Sequence, residues 1–136
     1  MADRLSLEVA TPTRLAVADT VDEVVIPGSA GYFGVLPGHA AFLTTLGIGE
    51  LTCRQGRDER HLAVSGGFAE VRNDKVIVLA DTAEAPEDID HARAERARTR
   101  AEQRLSGRAQ EEVDYVRAQC ALARSLTRLQ VFARGH

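Results

Sequence analysis

The feature that most limits how this chain can fold is a change of apolar period between residues 80 and 86. Before it, hydrophobic residues recur at every second position; after it, at every third or fourth. Leu5, Leu7 and Val9 alternate with Ser6 and Glu8, the pattern of a half-buried strand. Pro12 closes that run, and Leu15 to Ala18 opens a second. Val21 to Ile26 is a third, ended by Pro27-Gly28, and Phe42 to Leu46 and Ile48 to Gln55 follow. Arg60 to Val64, Phe68 to Val71 and Lys75 to Leu79 complete the set. Gln55-Gly56-Arg57-Asp58 and Asn73-Asp74 are turn signals, and Ser65-Gly66-Gly67 reads as a bend between strands. About eight to ten short strands at regular spacing indicate a β-sandwich or flattened barrel over residues 1–84.

Residues 85–136 read as helix. Pro86 suits a first helical turn, and Glu87, Asp88 and Asp90 place negative charge at the positive end of the dipole. Ala94, Ala97, Ala101 and Leu105 form a narrow stripe on a first helix that ends near Ser106-Gly107. A second helix spans about Gln110 to Phe132, with Tyr115, Ala118, Leu122, Leu126, Leu129 and Ala133 on one face. The expected arrangement is an antiparallel hairpin turning near residues 108 and 109. Its apolar face is mostly alanine. A buried alanine methyl contributes on the order of 1 kcal/mol, against about 1.5–3 kcal/mol for a leucine or phenylalanine side chain. Such a hairpin docks weakly and can detach or open into one long helix at small cost.

Charge divides at the same place. Residues 1–90 hold 7 basic and 15 acidic side chains, whereas residues 91–136 hold 10 and 5. Every cation in the tail is arginine, which suits an anionic partner or a solvated helix face. Aromatics are 4% with no Trp, so stacking on bases or sugars is poorly supplied. No apolar run nears the roughly 20 residues of a membrane span. The N-terminus lacks a signal-peptide layout, and Cys53 and Cys120 suggest two inert thiols in a reducing compartment. There is no GxxxxGK[ST], no metal-ligand spacing among His39, His61, His91 and His136, and no visible nucleophile with a paired base.

Gly31-Tyr32-Phe33-Gly34-Val35-Leu36-Pro37-Gly38-His39-Ala40 is the densest motif, read as a long apolar loop. With the apolar strand after it, this block resembles the epsilon subunit of the bacterial F-type ATP synthase. The blocks Ala63-Val64-Ser65-Gly66-Gly67-Phe68-Ala69-Glu70-Val71 and Val76-Ile77-Val78-Leu79-Ala80-Asp81-Thr82-Ala83 resemble the same family, in its order and spacing. One position departs: Tyr32 stands where relatives often have Glu.

The resemblance implies a non-catalytic rotor subunit in the central stalk, peripheral on the cytoplasmic face of the bacterial inner membrane. The sandwich would bind the gamma subunit and rest on the c-subunit ring, with Tyr32 and His39 as contact residues. Membrane contact would come only through the complex, and no nucleic acid is expected. Extended, the tail would enter the alpha/beta catalytic head. There Arg117, Arg124 and Arg128 would meet an acidic loop of the beta subunit and block ATP hydrolysis.

A last constellation has two readings. In an antiparallel hairpin, Asp90, Arg93, Arg124 and Arg128 fall at one level. Spacing alone suits either an ion pair of Asp90 with Arg93 or Arg128, or an anion site for phosphate oxygens and a ribose or base. Ile89-Asp90-x-x-Arg93-Ala94 is similar to the ATP-binding motif of some epsilon subunits, which adds Arg124, Arg128 and Glu84. The resemblance thus implies ATP as a regulatory ligand that holds the hairpin folded, with no cofactor required. Two other classes remain open: a nucleic-acid module using the arginines, which the net charge of −3 opposes, and a small enzyme or sugar-binding sandwich, for which no pocket residues present themselves.

Overall fold

The computed structural model describes residues 4–107 and 112–136; the expected hairpin turn near 108 and 109 and the helix start at Gln110 lie outside them. Eight strands precede two helices: β1 (Leu5–Ala10), β2 (Leu15–Val21), β3 (Glu23–Gly28), β4 (Gly31–Val35), β5 (Phe42–Thr45), β6 (Ile48–Gln55), β7 (Asp58–Arg72) and β8 (Lys75–Glu84). They form one sheet in the order β2-β1-β8-β7-β6-β3-β4, with β5 paired to β7 off that path. Only β1 with β8 is parallel. The ends β2 and β4 are not joined, so the sheet is folded over but not closed into a flattened barrel.

One large core fills the sheet. Leu5, Leu7, Val9, Val24, Ile26, Leu51, Val64, Val71, Val76 and Val78 are all buried in one cluster to which most strands contribute. A sheet can bury one face of nearly every strand together only by doubling over.

β7 makes the fold double. The sequence reads as two strands with a bend between them, but the structure has one strand of 15 residues. Up to Ser65 it pairs with β6, and from Phe68 it pairs with β5, while β8 follows it on the other side. The inward residues are Leu62 and Val64 before the change, and Ala69 and Val71 after it. Two glycines with positive φ, Gly66 at 67° and Gly67 at 106°, take up this change of parity. A Cβ on Gly67 would lie 1.9 Å from the Leu79 carbonyl oxygen.

The densest motif is also more regular than a loop. Its first half is β4, a hairpin partner of β3 with Tyr32 opposite Pro27. Only residues 36–41 form a connection. It is pinned by the Gly38 amide, which donates to Asp74 Oδ1 at 2.7 Å, and by the His39 amide, which donates to the Leu36 carbonyl at 3.1 Å. Asp74 belongs to the β7–β8 turn, where Asn73 and Asp74 both have positive φ, as a tight twisted hairpin requires.

A 3-10 turn over Pro86–Asp88 leads to α1 (His91–Ser106), and α2 (Glu112–Arg134) runs back against it. Ala94 and Ala101 are buried on α1. On α2 the buried positions are Ala118, Ser125 and Val131, whereas Tyr115, Leu126 and Ala133 from the expected face are exposed. The stripe differs because α2 also rests on β6 and β7, so its buried side is shared between a helix and a sheet. Ser125 keeps its hydroxyl satisfied by donating to the Ala121 carbonyl at 2.6 Å.

Gly67→Ala is expected to destabilise the protein by about 3 kcal/mol, because the methyl meets backbone at a strained φ. Gly34→Ala, where a Cβ meets nothing within 4 Å, should stay within about 0.5 kcal/mol of the parent. Urea denaturation of both variants measures the difference.

Candidate functional site

The tail is footed on the outer side of the sheet through a row of three residues on neighbouring strands. Glu50 of β6 lies opposite Ala63 of β7, and Ala63 lies opposite Glu84 of β8. Above this row pass Arg128, Val131 and Arg134 of α2. Arg128 Nε donates to Glu84 Oε1 at 2.5 Å. Val131 is fully buried and packs in a cluster with Ala63, Ile89 and Phe132. Arg134 grips Glu50 bidentately, Nε to Oε2 and Nη2 to Oε1, both at 3.1 Å.

Glu50 is only 7% exposed. A carboxylate so buried requires donors. Gln130 Nε2 adds one at 3.1 Å, and His61 Nδ1 stands 3.5 Å away. The hydrogen bonds and charge of Glu50 push the Arg134 pKa up, so this guanidinium is held in its charged form. The Glu50 amide donates to the Tyr32 hydroxyl at 3.0 Å. The pairing of β3 with β6 ends at Val25 and Thr52, and Tyr32 reaches over Gly49 to supply the acceptor. A Cβ on Gly49 would lie 2.4 Å from that oxygen, so glycine is required for the approach.

The root of the tail is held separately. Ile89 is buried, and Phe132 lies between the rings of His91 and His136, at centroid distances of 4.6 and 3.8 Å. Gly135 packs close to Pro86, so the end of α2 returns to its own linker. Arg14 Nη2 donates to Asp88 Oδ2 at 2.7 Å and to the Ala83 carbonyl at 2.9 Å. This ties the linker to the β1–β2 turn.

The residues singled out from sequence divide into several settings. Asp90 is the N-cap of α1, and its Oδ1 accepts from the Arg93 amide at 3.1 Å. Among the described residues no ion pair joins Asp90 to Arg93, Arg124 or Arg128, so of the two readings of this level the ion pair is not formed. The physical reason is local: the first turn of a helix offers unpaired amides that a short carboxylate can reach. Arg93 is exposed and Ala94 buried. Arg124 and Arg128 turn toward the sheet, where with Thr127 they line a slot of about 10 Å³ against Ser65, Thr82 and Glu84. That is room for about one water. A wider cleft of about 360 Å³ opens beside Glu84 and Arg128, lined also by Thr11, Thr13, Arg14, Asp81 and Asp88. Arg117 is exposed. Tyr32 is bound to Glu50 as described, whereas the His39 ring lies 6.3 Å from that of Phe42, in a different part of the motif.

Glu50, Ala63, Gln130 and Arg134 were not legible as a site. The available signal was a lone acidic residue, Glu50, inside a strand, Ile48 to Cys53, with no other charge. An apolar band was missed as well. Phe68 lies opposite Leu79, Leu79 beside Ala10, and Ala10 opposite Leu15, across four strands. Leu15, Phe68 and Leu79 are 59%, 55% and 55% exposed, and Leu43 beside them on β5 is 68% exposed. Among the described residues no helix is long and apolar enough to cross a membrane, and no group of metal-binding side chains converges. Both cysteines are free; burial pushes the Cys53 thiol pKa up.

Two sequence families match this architecture unit by unit. The family described as ATP synthase, Delta/Epsilon chain, beta-sandwich domain covers residues 4–86. The one described as ATP synthase, Delta/Epsilon chain, long alpha-helix domain covers residues 87–133. The chain is 47% identical over 135 residues to the ATP synthase epsilon chain 2 of Syntrophotalea carbinolica, covering 99% of this chain and 98% of that one. In fold it is similar to a chain of the Euglena gracilis mitochondrial ATP synthase, in a structure of OSCP, F1 and c-ring, with a TM-score of 0.80 at 24% identity. That match covers 98% of this chain and 82% of the other. A chain of the Tetrahymena thermophila mitochondrial ATP synthase central stalk and c-ring gives a TM-score of 0.59 at 14% identity, covering 98% of this chain and 97% of the other.

The linker tie titrates. The hydrogen bond from Arg14, helped by the Ala85 amide against partial burial, holds the Asp88 carboxyl below its ordinary value. A carboxyl lowered on folding stabilises the fold above its unfolded pKa of about 3.9, and that contribution is lost as pH falls through the folded value. Arg14→Gln should therefore cost roughly 1 kcal/mol at neutral pH, as expected for a part-exposed pair. The gap should narrow below about pH 4, and urea unfolding at both pH values measures it.

Proposed function

Because the chain belongs to the delta/epsilon chain family of ATP synthase, as an epsilon chain, we propose that it is a non-catalytic subunit of the central stalk of an F-type ATP synthase. The sheet couples rotation to the catalytic head, and the tail is a movable arm that restrains ATP hydrolysis. One observation carries this reading. The helical third lies wholly outside the sheet core, on a footing of two ion pairs and a small apolar cluster, while a separate apolar band is left uncovered. An exposed band rimmed by polar residues marks an interaction site.

The band is assigned to the gamma subunit. Phe68, Leu79 and Leu15, with Leu43 diagonal to Phe68, offer exposed apolar side chains suited to a permanent partner. Contact with the c-subunit ring falls to the connection after β4, with His39. Tyr32 is accounted for within the fold by its bond to Glu50, and its exposed ring remains available beside it. The chain would sit peripherally on the cytoplasmic face of the bacterial inner membrane and meet the membrane only through the complex. Released from the sheet, Arg124 and Arg128 would join the already exposed Arg117 in meeting an acidic surface of the alpha/beta head.

ATP is proposed as the ligand that favours the folded arm, through Glu84, Ile89, Asp90, Arg93, Ala94, Arg124 and Arg128. Support comes from the motif and from the convergence of Glu84, Arg124 and Arg128 on one slot. The slot is far smaller than a nucleotide, so binding requires Arg128 to leave Glu84 and the hairpin to open locally. A ligand that prefers the folded arm shifts the balance by its differential affinity.

Removing residues 86–136 should raise ATP hydrolysis by the assembled enzyme while gamma is still captured. Phe68→Asp in the full chain should abolish capture of gamma. Unchanged hydrolysis would remove the inhibitory role, and unchanged capture would remove the band's assignment. For the ligand, calorimetric titration should show ATP affinity reduced at least tenfold in the Arg124→Ala, Arg128→Ala protein, as loss of charged hydrogen bonds implies. Equal affinities would exclude the nucleotide site.

A further inference from the structure

We infer that the row Glu50–Ala63–Glu84 is a dedicated docking surface for the repeat Arg134–Val131–Arg128, and that it fixes one seat for the arm without any ligand. The inference rests on the reading of the tail as a movable arm. It begins from a match of lengths. Three residues of α-helix advance about 4.5 Å along the axis, and neighbouring strands stand about 4.8 Å apart. A helix crossing three strands therefore presents positions i, i+3 and i+6 to one residue on each. Arg128, Val131 and Arg134 have that spacing, and each meets its own strand: Glu84 on β8, Ala63 on β7, Glu50 on β6.

The chemistry alternates in the same order on both sides. Carboxylate, methyl, carboxylate on the sheet faces guanidinium, isopropyl, guanidinium on the helix. Moving the helix by one three-residue step would set an arginine over Ala63 and take Val131 to a carboxylate. Both carboxylates would lose their partners, and Glu50 would be left buried and unpaired. The surface thus accepts the arm in one register. Alanine at position 63 is part of the fit, because Val131 is fully buried there.

The two ends differ. Glu84 and Arg128 are each 30% exposed on their side chains, so water can replace either partner. Glu50 is 8% exposed on its side chain and takes three donated bonds from two α2 residues. Arg134 is itself 48% exposed on its side chain, so the difference lies in the buried carboxylate, which needs its donors, and in their number. Glu50, with three donated bonds against one at Glu84, therefore carries most of the hold. Once the arm leaves, Glu50 regains water, so departure strands no buried charge.

Hydrogen exchange on the isolated full chain, without nucleotide, tests this. In Glu50→Gln and in Arg134→Gln, amides of residues 124–134 should exchange about 10-fold faster, those of β6 and β7 unchanged. The double variant should be no faster than the quicker single one, since both remove one interaction. Arg128→Gln should give a smaller increase. Parent-like exchange in either Glu50→Gln or Arg134→Gln, or single effects that add in the double, would overturn the assignment of Glu50 as the main hold. Inhibition is read separately, from hydrolysis by the assembled enzyme lacking residues 86–136. If exchange responds but hydrolysis does not, the seat stands and the inhibitory reading falls; the reverse result removes the seat alone.

Discussion

The bend at Gly66-Gly67 is the constraint from which the rest of the structure follows. One strand of 15 residues has to serve β6 at one end and β5 at the other, with β8 alongside from Ala63 to Arg72. A strand of L-residues with side chains at 66 and 67 could not make that turn, because the Leu79 carbonyl occupies the space of a Cβ. The bend also reverses which residues point inward. Before it, Ala63 and Ser65 face outward; after it, Phe68 and Glu70 do. Strand β8 follows the reversal, burying Val76, Val78 and Ala80 on one side of the bend and Ala83 on the other. The outer surface is thereby divided into two parts with different chemistry: an acidic row that seats α2, and an apolar band that none of the described residues covers.

Much of this was legible in the sequence, for reasons that are local. The alternation of Leu5, Leu7 and Val9, the span of β6 and the turn at Asn73-Asp74 each depend on neighbours a few positions apart. The end of α1 at Ser106, the change of period and the alanine content of α1 were equally readable. What escaped depends on partners far apart in the chain. Nothing near Tyr32 in sequence shows that its hydroxyl accepts from the amide of Glu50, 18 residues on. Arg134 received no role, although it grips a carboxylate 84 residues away. Asp90 and Arg128 fall at one level of a hairpin, yet each finds a nearer demand first, a helix cap for one and Glu84 for the other. Hairpin arithmetic ranks positions by level and says nothing of rotation about the helix axis, and the sheet beneath α2 sets that rotation.

The arm illustrates how weak packing and specific pairing divide the work of holding a helix. Between α1 and α2 the buried side chains are small, Ala94, Ala101, Ala118 and Ser125, each contributing little through area. Close approach is their main effect, since small residues let helices lie near one another. The apolar contact with the sheet is just as modest, chiefly Ala63, Ile89 and Val131 with Phe132 beside them. Against that background, the pairs of Arg128 with Glu84 and Arg134 with Glu50 decide where the arm sits. Apolar burial favours contact in many registers, whereas paired charges favour one.

That division bears on reversibility. A docked element held by a large apolar face would leave that face in water when it departs, and the cost would keep it in place. Here the apolar groups that departure uncovers are few, Ala63 and part of Ile89 on one side and Val131 with Phe132 on the other, and the two carboxylates are well solvated once exposed. On the helix, the arginines keep their charge and can pair elsewhere. The sheet, whose core shares no residue with the footing cluster, loses nothing of its own when the helix lifts. Packing of the sheet and seating of the helix are therefore set by separate groups of residues.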